Sequence, residues 1–426
     1  MHRTHRGGIG TRRPGSSLRS ALALGVLCGS AAGQTPNVVV MGGNWGGSCV
    51  APCDMRAVPV PNYQFSIVAS GDRFAVGIDA DGFLHAWGCN PHIPGPTPGG
   101  TFSHVGAGEQ FYVALRSSPG GFGVPVHVGD TSLGQRTDFP DTGYTFKSIS
   151  VGEYHAIGII KEAENGATED TLYVWGGFPV GQTCPHTQPA HARFNLPAPY
   201  NQMPVYQLKF KFVEAGAYNS AGILHYPDDP SVDGRLIVWG NDDLINGRLV
   251  SAAPSNPDRR YKFVALGHRH GIAIRAASAA YPGDDGLLEP FTDAGFDPYN
   301  HLQAPPGRFK SVMGGYAHSV AISVYNQVHK WSWNGCMADP PPSGNNFASV
   351  GLGESSHFTV AITQGGSCYA NCDGSTSPPM LSSNDFICFA NAFAANDPYA
   401  DCDGVGGLTA NDYQSFANKF ANGCGM

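Results

Sequence analysis

Charge is scarce in this 426-residue chain: Asp, Glu, Lys and Arg together make up 14%, against about 25% in an average soluble domain. The charge that is present runs negative, a formal −8, and no cluster of Lys and Arg interrupts it. A surface that tracks phosphate backbones is therefore not expected, and nucleic-acid binding with it. Long apolar runs are also missing: after residue 33 none approaches the about 18 unbroken apolar residues of a membrane-spanning helix. Short catalytic signatures are absent too, with no Gly-x-Ser-x-Gly elbow, no His-Glu-x-x-His and no phosphate-cradling loop. Carboxylate pairs of the glycosidase kind are recognisable only by their separation in the fold. An extracellular polysaccharide- or peptide-degrading enzyme thus stands as the alternative to a non-enzymatic binding protein.

Turn formers are abundant, with 57 Gly and 33 Pro. Few charges and many tight turns point to an all-β chain. Residues 1–33 have another character. Arg3, Arg6, Arg12, Arg13 and Arg19 flank a short apolar run, Leu18 to Cys28, that ends in small residues. A basic stretch, a short apolar stretch and a small-residue cleavage zone predict a secretory signal, and hence an extracellular protein, possible attachment to the cell surface included. Its removal takes away five arginines and no acid, moving the formal charge from −8 to −13. It also removes Cys28 and leaves ten of the eleven cysteines, an even number that suits disulfides in an oxidising compartment.

Residues 38–362 are organised by a repeat. FSIVASGDRFAVGI from Phe65 aligns without gaps with segments starting at Phe102, Phe146, Phe210, Tyr261 and Phe309, and a copy from Phe347 carries two extra residues. The shared frame is aromatic-x-x-(Val/Ile)-x-x-Gly followed by an apolar run. The aromatic and β-branched residues open a short strand. Gly71, Gly108, Gly152, Gly216, Gly267, Gly315 and Gly353 permit a tight turn or close backbone approach, and the apolar run makes a second, buried strand. A further strand ends in HAWGCN, VHVGD, LYVWGG, LIVWGN or VHKWSWN before the next copy, and the fifth copy lacks an obvious counterpart in 276–308. Copies start 37 to 64 residues apart, a range that brackets the about 40–50 residues of four-stranded propeller blades. The seventh copy has no Trp-Gly strand after it, whereas VVVMGGN at 38–44 stands alone before the first. That strand is expected to complete the last blade and close the ring. The expected fold class is all-β: a seven-bladed β-propeller over 34–364, closed by the N-terminal strand, plus a small α-helical C-terminal module over 365–426 with two calcium loops.

The frame that recurs seven times, with its Val-x-x-Gly-x-x-His and Trp-Gly-x-Asn segments, resembles the repeat of the regulator of chromosome condensation family over roughly residues 38–362. That resemblance implies a seven-bladed propeller that binds protein. The leader and the acidic charge argue for a secreted bacterial relative over the nuclear role.

Three histidines, His155, His270 and His318, fall three residues after the repeat Gly, with His357 in the irregular copy and Phe74, Phe111 and Asn219 at the equivalent positions. Facing one cavity, they would make a metal cage or an acid–base site. Their exchange with Phe favours a packing role, each hydrogen-bonded to a neighbouring blade's backbone. The Trp residues at strand ends (Trp87, Trp175, Trp239, Trp331, Trp333) are expected in blade packing ahead of carbohydrate stacking. Cys184, His186 and His191 lie in an insert without paired zinc spacing. Asp284, Asp285, Glu289, Asp293 and Asp297 in another insert read as a solvated acidic loop before a second calcium site.

The composition changes after residue 366, where five cysteines fall within 368–426 and an internal duplication sets Asn371 onward against Asp401 onward. In the second copy Asp401, Asp403, the Gly407 carbonyl, Thr409 and Asp412 take positions 1, 3, 7, 9 and 12 of an EF-hand-type loop, with Gly406 at the turn. Such a loop gathers hard oxygens around Ca2+. Val405 at position 5 departs from the pattern, since it offers no side-chain oxygen. Asn371, Asp373, Ser382 and Asp385 are the parallels in the longer first loop. Each loop leads into an amphipathic helix carrying Phe386, Phe389 and Phe393, or Tyr413, Phe416 and Phe420, faces that are expected to bury each other. The duplicated Cys-Asp-Gly…Asn-Asp-(Phe/Tyr)-x-x-Phe pattern and the terminal Asn422, Gly423 and Cys424 resemble a dockerin of the Gly-Cys type seen in secreted planctomycete proteins. The resemblance implies calcium-dependent docking of 366–426 onto a protein partner, a cohesin-like or envelope scaffold, while the propeller face takes an unknown macromolecule.

Overall fold

The structure, a computed structural model, describes residues 38–41, 64–93, 96–117, 123–132, 134–140, 142–163, 168–177, 200, 207–240, 248–293, 297, 299–332, 347–353, 358–363, 372, 382–395, 400 and 408–421. Residues 1–33, where a secretory leader is expected, lie outside them.

Its strands form seven antiparallel three-stranded sheets. The chain begins with β1 (Val38–Met41) and continues into sheet 1, made of β2 (Phe65–Gly71), β3 (Phe74–Asp79) and β4 (Leu84–Gly88). Sheet 2 holds β5 (Phe102–Ala107), β6 (Phe111–Arg116) and β7 (Pro125–Gly129), and sheet 3 holds β8 (Tyr144–Val151), β9 (His155–Ala163) and β10 (Leu172–Gly176). Sheet 4 is β11 (Phe210–Ala215), β12 (Asn219–Leu224) and β13 (Leu236–Gly240), followed by a helical turn, α1 (Leu249–Ala252). Sheet 5 is β14 (Arg260–Leu266), β15 (Gly271–Ala276) and β16 (Leu288–Phe291), and sheet 6 is β17 (Phe309–Gly314), β18 (His318–Ser323) and β19 (Val328–Ser332). Sheet 7 combines β20 (Phe347–Gly351) and β21 (Thr359–Thr363) with β1, which pairs with β21 in the register Val38 to Ile362 through Met41 to Thr359. Each sheet has three strands among the described residues, one fewer than the four expected from the repeat length.

The repeat frame has a local cause. An aromatic and a Val three residues apart would point to opposite faces of a regular strand. In all seven sheets the first strand slips register immediately after its aromatic, at Phe65/Ile67, Phe102/His104, Phe146/Ser148, Phe210/Phe212, Tyr261/Phe263, Phe309/Ser311 and Phe347/Ser349. One extra residue in the strand returns the Val to the aromatic's face, and Phe65 with Val68, or Phe309 with Val312, are buried together. The middle strand is buried throughout, as in β3, β12 and β18, because a sheet packs on each side of it.

Neighbouring sheets meet backbone to backbone at the repeat glycines. A Cβ on Gly71 would lie 2.1 Å from the Gly108 carbonyl oxygen of sheet 2, and one on Gly108 2.4 Å from that of Gly152 in sheet 3. Gly152 stands in the same way to Gly216, Gly267 to Gly315, and Gly353 of sheet 7 to the Ser70 carbonyl of sheet 1. Ser70 Oγ also donates to the Gly351 carbonyl at 3.3 Å.

In sheet 5, whose third strand the sequence left undefined, β16 supplies the edge with Pro290 opposite Ile272. Proline is tolerated there because an outer strand has one ladder to satisfy. The Trp residues pack as expected: Trp175 and Trp239 are fully buried, and Trp87 lies in the core between sheets 7 and 1. Trp333 lies outside the described residues.

The C-terminal segment forms α2 (Ser383–Ala394) and α3 (Ala410–Ala421). The two aromatic faces bury each other: Phe389 stacks on Phe416 at 4.2 Å, Phe386 meets Phe420 at 4.5 Å, and Tyr413 meets Phe389 at 5.0 Å. A disulfide, Cys372–Cys388, ties the preceding segment to α2.

Candidate functional site

The turn that follows each repeat glycine carries side chains the fold does not require, and those of successive sheets meet. Tyr154 of sheet 3 lies 6.0 Å from Tyr218 of sheet 4, Tyr218 lies 5.5 Å edge-on to His268 of sheet 5, and His268 lies 4.6 Å from Tyr316 of sheet 6. His268 Nε2 is 3.8 Å from the Glu153 carboxylate of sheet 3, so residues of non-adjacent sheets come together. Backbone bonds knit the same turns, from Asp72 N–H to Glu109 O at 3.1 Å and from His268 N–H to Gly315 O at 3.2 Å. Asp72 and Glu109 extend the cluster into sheets 1 and 2, and Arg73 closes on Asp72 at 3.0 Å.

The turns carry three carboxylates, Asp72, Glu109 and Glu153, against two arginines, Arg73 and Arg269. Burial pushes the Glu109 carboxyl up, and the negative charges of Asp72 and Asp130 push it further than Arg73 and His92 bring it back. The Tyr154 and Tyr218 phenols are raised by burial first and by Glu153 next. Phenol faces beside carboxylates make a cradle for a cation. Sequence reasoning missed these residues. Their signal was present in the alignment: the positions right after each Gly vary in chemistry (Asp72, Glu109, Glu153, His268, Tyr316) inside a constant frame.

The repeat histidines do not gather on one cavity. His155 Nε2 lies 2.9 Å from Ser220 Oγ, His270 Nε2 2.9 Å from Ser319 Oγ, and His318 Nε2 3.1 Å from Thr359 Oγ1, all buried. Each therefore bonds the next sheet, as expected of a packing position, but through a side-chain hydroxyl in place of the backbone. The equivalent position in sheet 7 is Phe358; His357 lies outside the described residues. Where the position is aromatic its neighbour is apolar: Phe358 packs with Ala75, Phe74 with Tyr112 and Phe111 with Ala156.

Most acids of insert 276–308 are drawn into ion pairs or turn hydrogen bonds, while Asp285 stays exposed, as a solvated loop would have it. Arg259 and Arg275 pair with Asp284 and Glu289, with Glu289 contacts of 2.9 and 2.8 Å, and Tyr261 donates to Glu289. Lys262 pairs with Asp285, and the Asp297 carboxylate accepts the His301 and Leu302 N–H groups. Cys184, His186 and His191 lie outside the described residues.

Of the expected calcium ligands, Asn371, Asp373, Asp401, Asp403 and Gly407 lie outside the described residues. The described four form two matching corners. Asp385 accepts the Ser382 N–H at 2.7 Å, and Asp412 accepts the Thr409 N–H at 2.6 Å and its hydroxyl at 3.2 Å. Both carboxylates are fully buried at the start of their helices, and Ser382 with Asp385 makes a capping box. A buried carboxylate beside a hydroxyl is a hard-oxygen corner that suits calcium. Among the described residues no group of three or more His, Cys, Asp or Glu is gathered around a metal position.

No protein-family model and no curated protein sequence matches the chain. Solved structures do. The CRINKLY WD40 ectodomain of the Arabidopsis thaliana receptor kinase ACR4 superposes with a TM-score of 0.50 at 17% identity, over 71% of this chain and 91% of that one. Prp20p from Saccharomyces cerevisiae superposes with a TM-score of 0.52 at 15% identity, over 85% of this chain and 95% of that one. The likeness is one of fold: this chain shares the β-propeller architecture of these structures.

Proposed function

We propose that this chain is a secreted, non-catalytic binding protein. Its seven sheets close into a seven-bladed ring, the turn cluster at one end of the ring receives a Lys- or Arg-bearing segment of a partner protein, and residues 366–426 anchor the molecule to a scaffold or envelope through calcium. The pairing of β1 with β21 and the seat of Gly353 on Ser70 support closure. The single observation that carries the binding reading is the convergence of Glu153, Tyr154, Tyr218, His268 and Tyr316 from four successive sheets. Prp20p, whose structure was described with its binding to Gsp1p and histones, shows that a propeller of this fold serves protein recognition. The enzyme alternative required His155, His270 and His318 to share a face with carboxylates, and these side chains are instead committed to sheet interfaces.

In the C-terminal module Asp401, Asp403, the Gly407 carbonyl, Thr409 and Asp412 would hold one Ca2+, with Asn371, Asp373, Ser382 and Asp385 as the parallel set. Calcium supplies the charge that draws each loop closed onto its helix. The leader, the Cys372–Cys388 bridge and a further disulfide at Cys89 support an oxidising destination.

The test is selection of random peptides on the immobilised full chain. Peptides enriched in Lys or Arg are expected, with affinity falling at least about tenfold when Tyr154→Ala and Tyr218→Ala are combined, the loss of two aromatic contacts to a cation. Equal binding by that variant would overturn the cluster's role, and steady hydrolysis of selected peptides or of a glycan panel would replace binding with catalysis.

A further inference from the structure

The first strands of six sheets line an open pocket of about 250 Å³. Most of its wall is alkyl, including Ile67, Val105, Ile149 and Met313, and Ser66, which is exposed, places one part of the wall at solvent. Into this wall Glu214 brings a partly buried carboxylate, held by a 3.0 Å bond from Ser150 Oγ. The fifth position of the repeat frame, where Glu214 stands, is Ala69, Gly106, Ser150, Ala265, Met313 and Gly351 in the other sheets. The fold asks only for a small or apolar residue there, so the carboxylate is not a packing requirement. A second polar group on the wall, Ser349 Oγ, is buried without a hydrogen-bond partner.

A lone carboxylate with hydroxyls is too poor in charge for a divalent metal, which gathers several hard oxygens. Alkyl walls ending in one carboxylate match a short chain ending in an ammonium group. We infer that this axial cavity is a binding site for an alkylammonium group, its methylenes against the apolar wall and its nitrogen on Glu214. The inference does not rest on the turn cluster, which Glu214 substitutions leave untouched.

The chemistry predicts a proton signature. Burial raises the Glu214 carboxyl to about 8, opposed by the Ser150 and Leu266 hydrogen bonds, so the empty site holds it largely protonated at neutral pH. No other ionisable side chain lines the cavity among the described residues. Arrival of the ammonium ionises the carboxyl: an ammonium and a carboxylic acid become an ammonium–carboxylate pair, and one proton leaves to solvent.

The experiment is calorimetric titration of the full chain with n-butylamine at pH 7 in two buffers of different ionisation heat. Binding should release close to one proton, and Glu214→Gln, near-isosteric, should weaken it at least about tenfold and abolish the release, as expected when a charge-assisted bond is lost. A parallel arm uses an acetylated peptide carrying one internal lysine. Tighter binding of the peptide assigns the site to a partner's side chain, and tighter binding of the free amine assigns it to a small molecule; either outcome sustains the proposal. It is overturned by an absence of binding in both arms, or by binding that survives Glu214→Gln unchanged.

Discussion

A buried histidine nitrogen has to find a partner, and here the partner sits in the next sheet one position further along the repeat. Ser319→Ala removes the hydroxyl facing His270 Nε2 in a fully buried site and is expected to cost about 1–3 kcal/mol in urea denaturation, the penalty of an unmet buried group. Adding His270→Phe should recover much of it, because Phe111 facing Ala156 is the apolar form of the same contact. A double-mutant cycle with no recovery would contradict this complementarity. Titration makes a second claim at this scale. Glu214 is raised from 4.5 to about 8, so the native state keeps a proton the unfolded chain has already lost. The contribution of Glu214 to stability should be full below about 4.5 and be lost by about 8, at up to about 1.4 kcal/mol per pH unit, and Glu214→Gln should remove that part of the slope in urea midpoints taken across the range. The packing role of the histidines was legible from their exchange with Phe. Their hydroxyl partners were not, because these lie 65, 49 and 41 residues away in sequence. In the last copy the two extra residues move the equivalent position to Phe358.

Elements obey the repeat wherever its phrase is intact. The aromatic, the Val and the Gly announced the first strand and the apolar run the second, since each phrase buries one face against a neighbour. The bulge that reconciles an apolar spacing of three with a strand could have been read from the same letters. The edge of sheet 5 could not, because Phe291, paired with Gly271 as Trp239 is with Ser220, takes the place of the Trp, and Thr292 that of the Gly. In the helical pair the aromatic faces were legible from their three- and four-residue steps. Phe416→Ala removes a ring that touches Phe386, Phe389 and Phe420 and should cost about 3–5 kcal/mol locally, seen as protease cleavage within 366–426 while the sheets persist. The calcium proposal has its own signature. Chelator should expose the same segment, and Asp403→Ala should abolish the calcium-dependent protection. Asp412→Ala discriminates less well, since that carboxylate also accepts the Thr409 N–H and should weaken the helix start with or without metal. Protection indifferent to both chelator and Asp403→Ala would end the calcium reading.

At the scale of the molecule, seven phrases acquire a function only by facing one another. The turn residues Glu153, Tyr218, His268 and Tyr316 are unremarkable along the chain and become a cluster because their glycines bring the sheets backbone to backbone. Ring closure is therefore the claim on which both the turn cluster and the Glu214 cavity depend, and the join of first strand to last sheet is where it is most exposed to test. Val39 and Ala361 are register partners there. The decisive measurement is oxidation of a Val39→Cys, Ala361→Cys chain followed by peptide mass analysis, with Val39→Cys, Ala273→Cys as the control across distant sheets. The account predicts a cross-link between positions 39 and 361 in the folded protein and none between 39 and 273; a chain that stays folded while forming neither, or both equally, would contradict it.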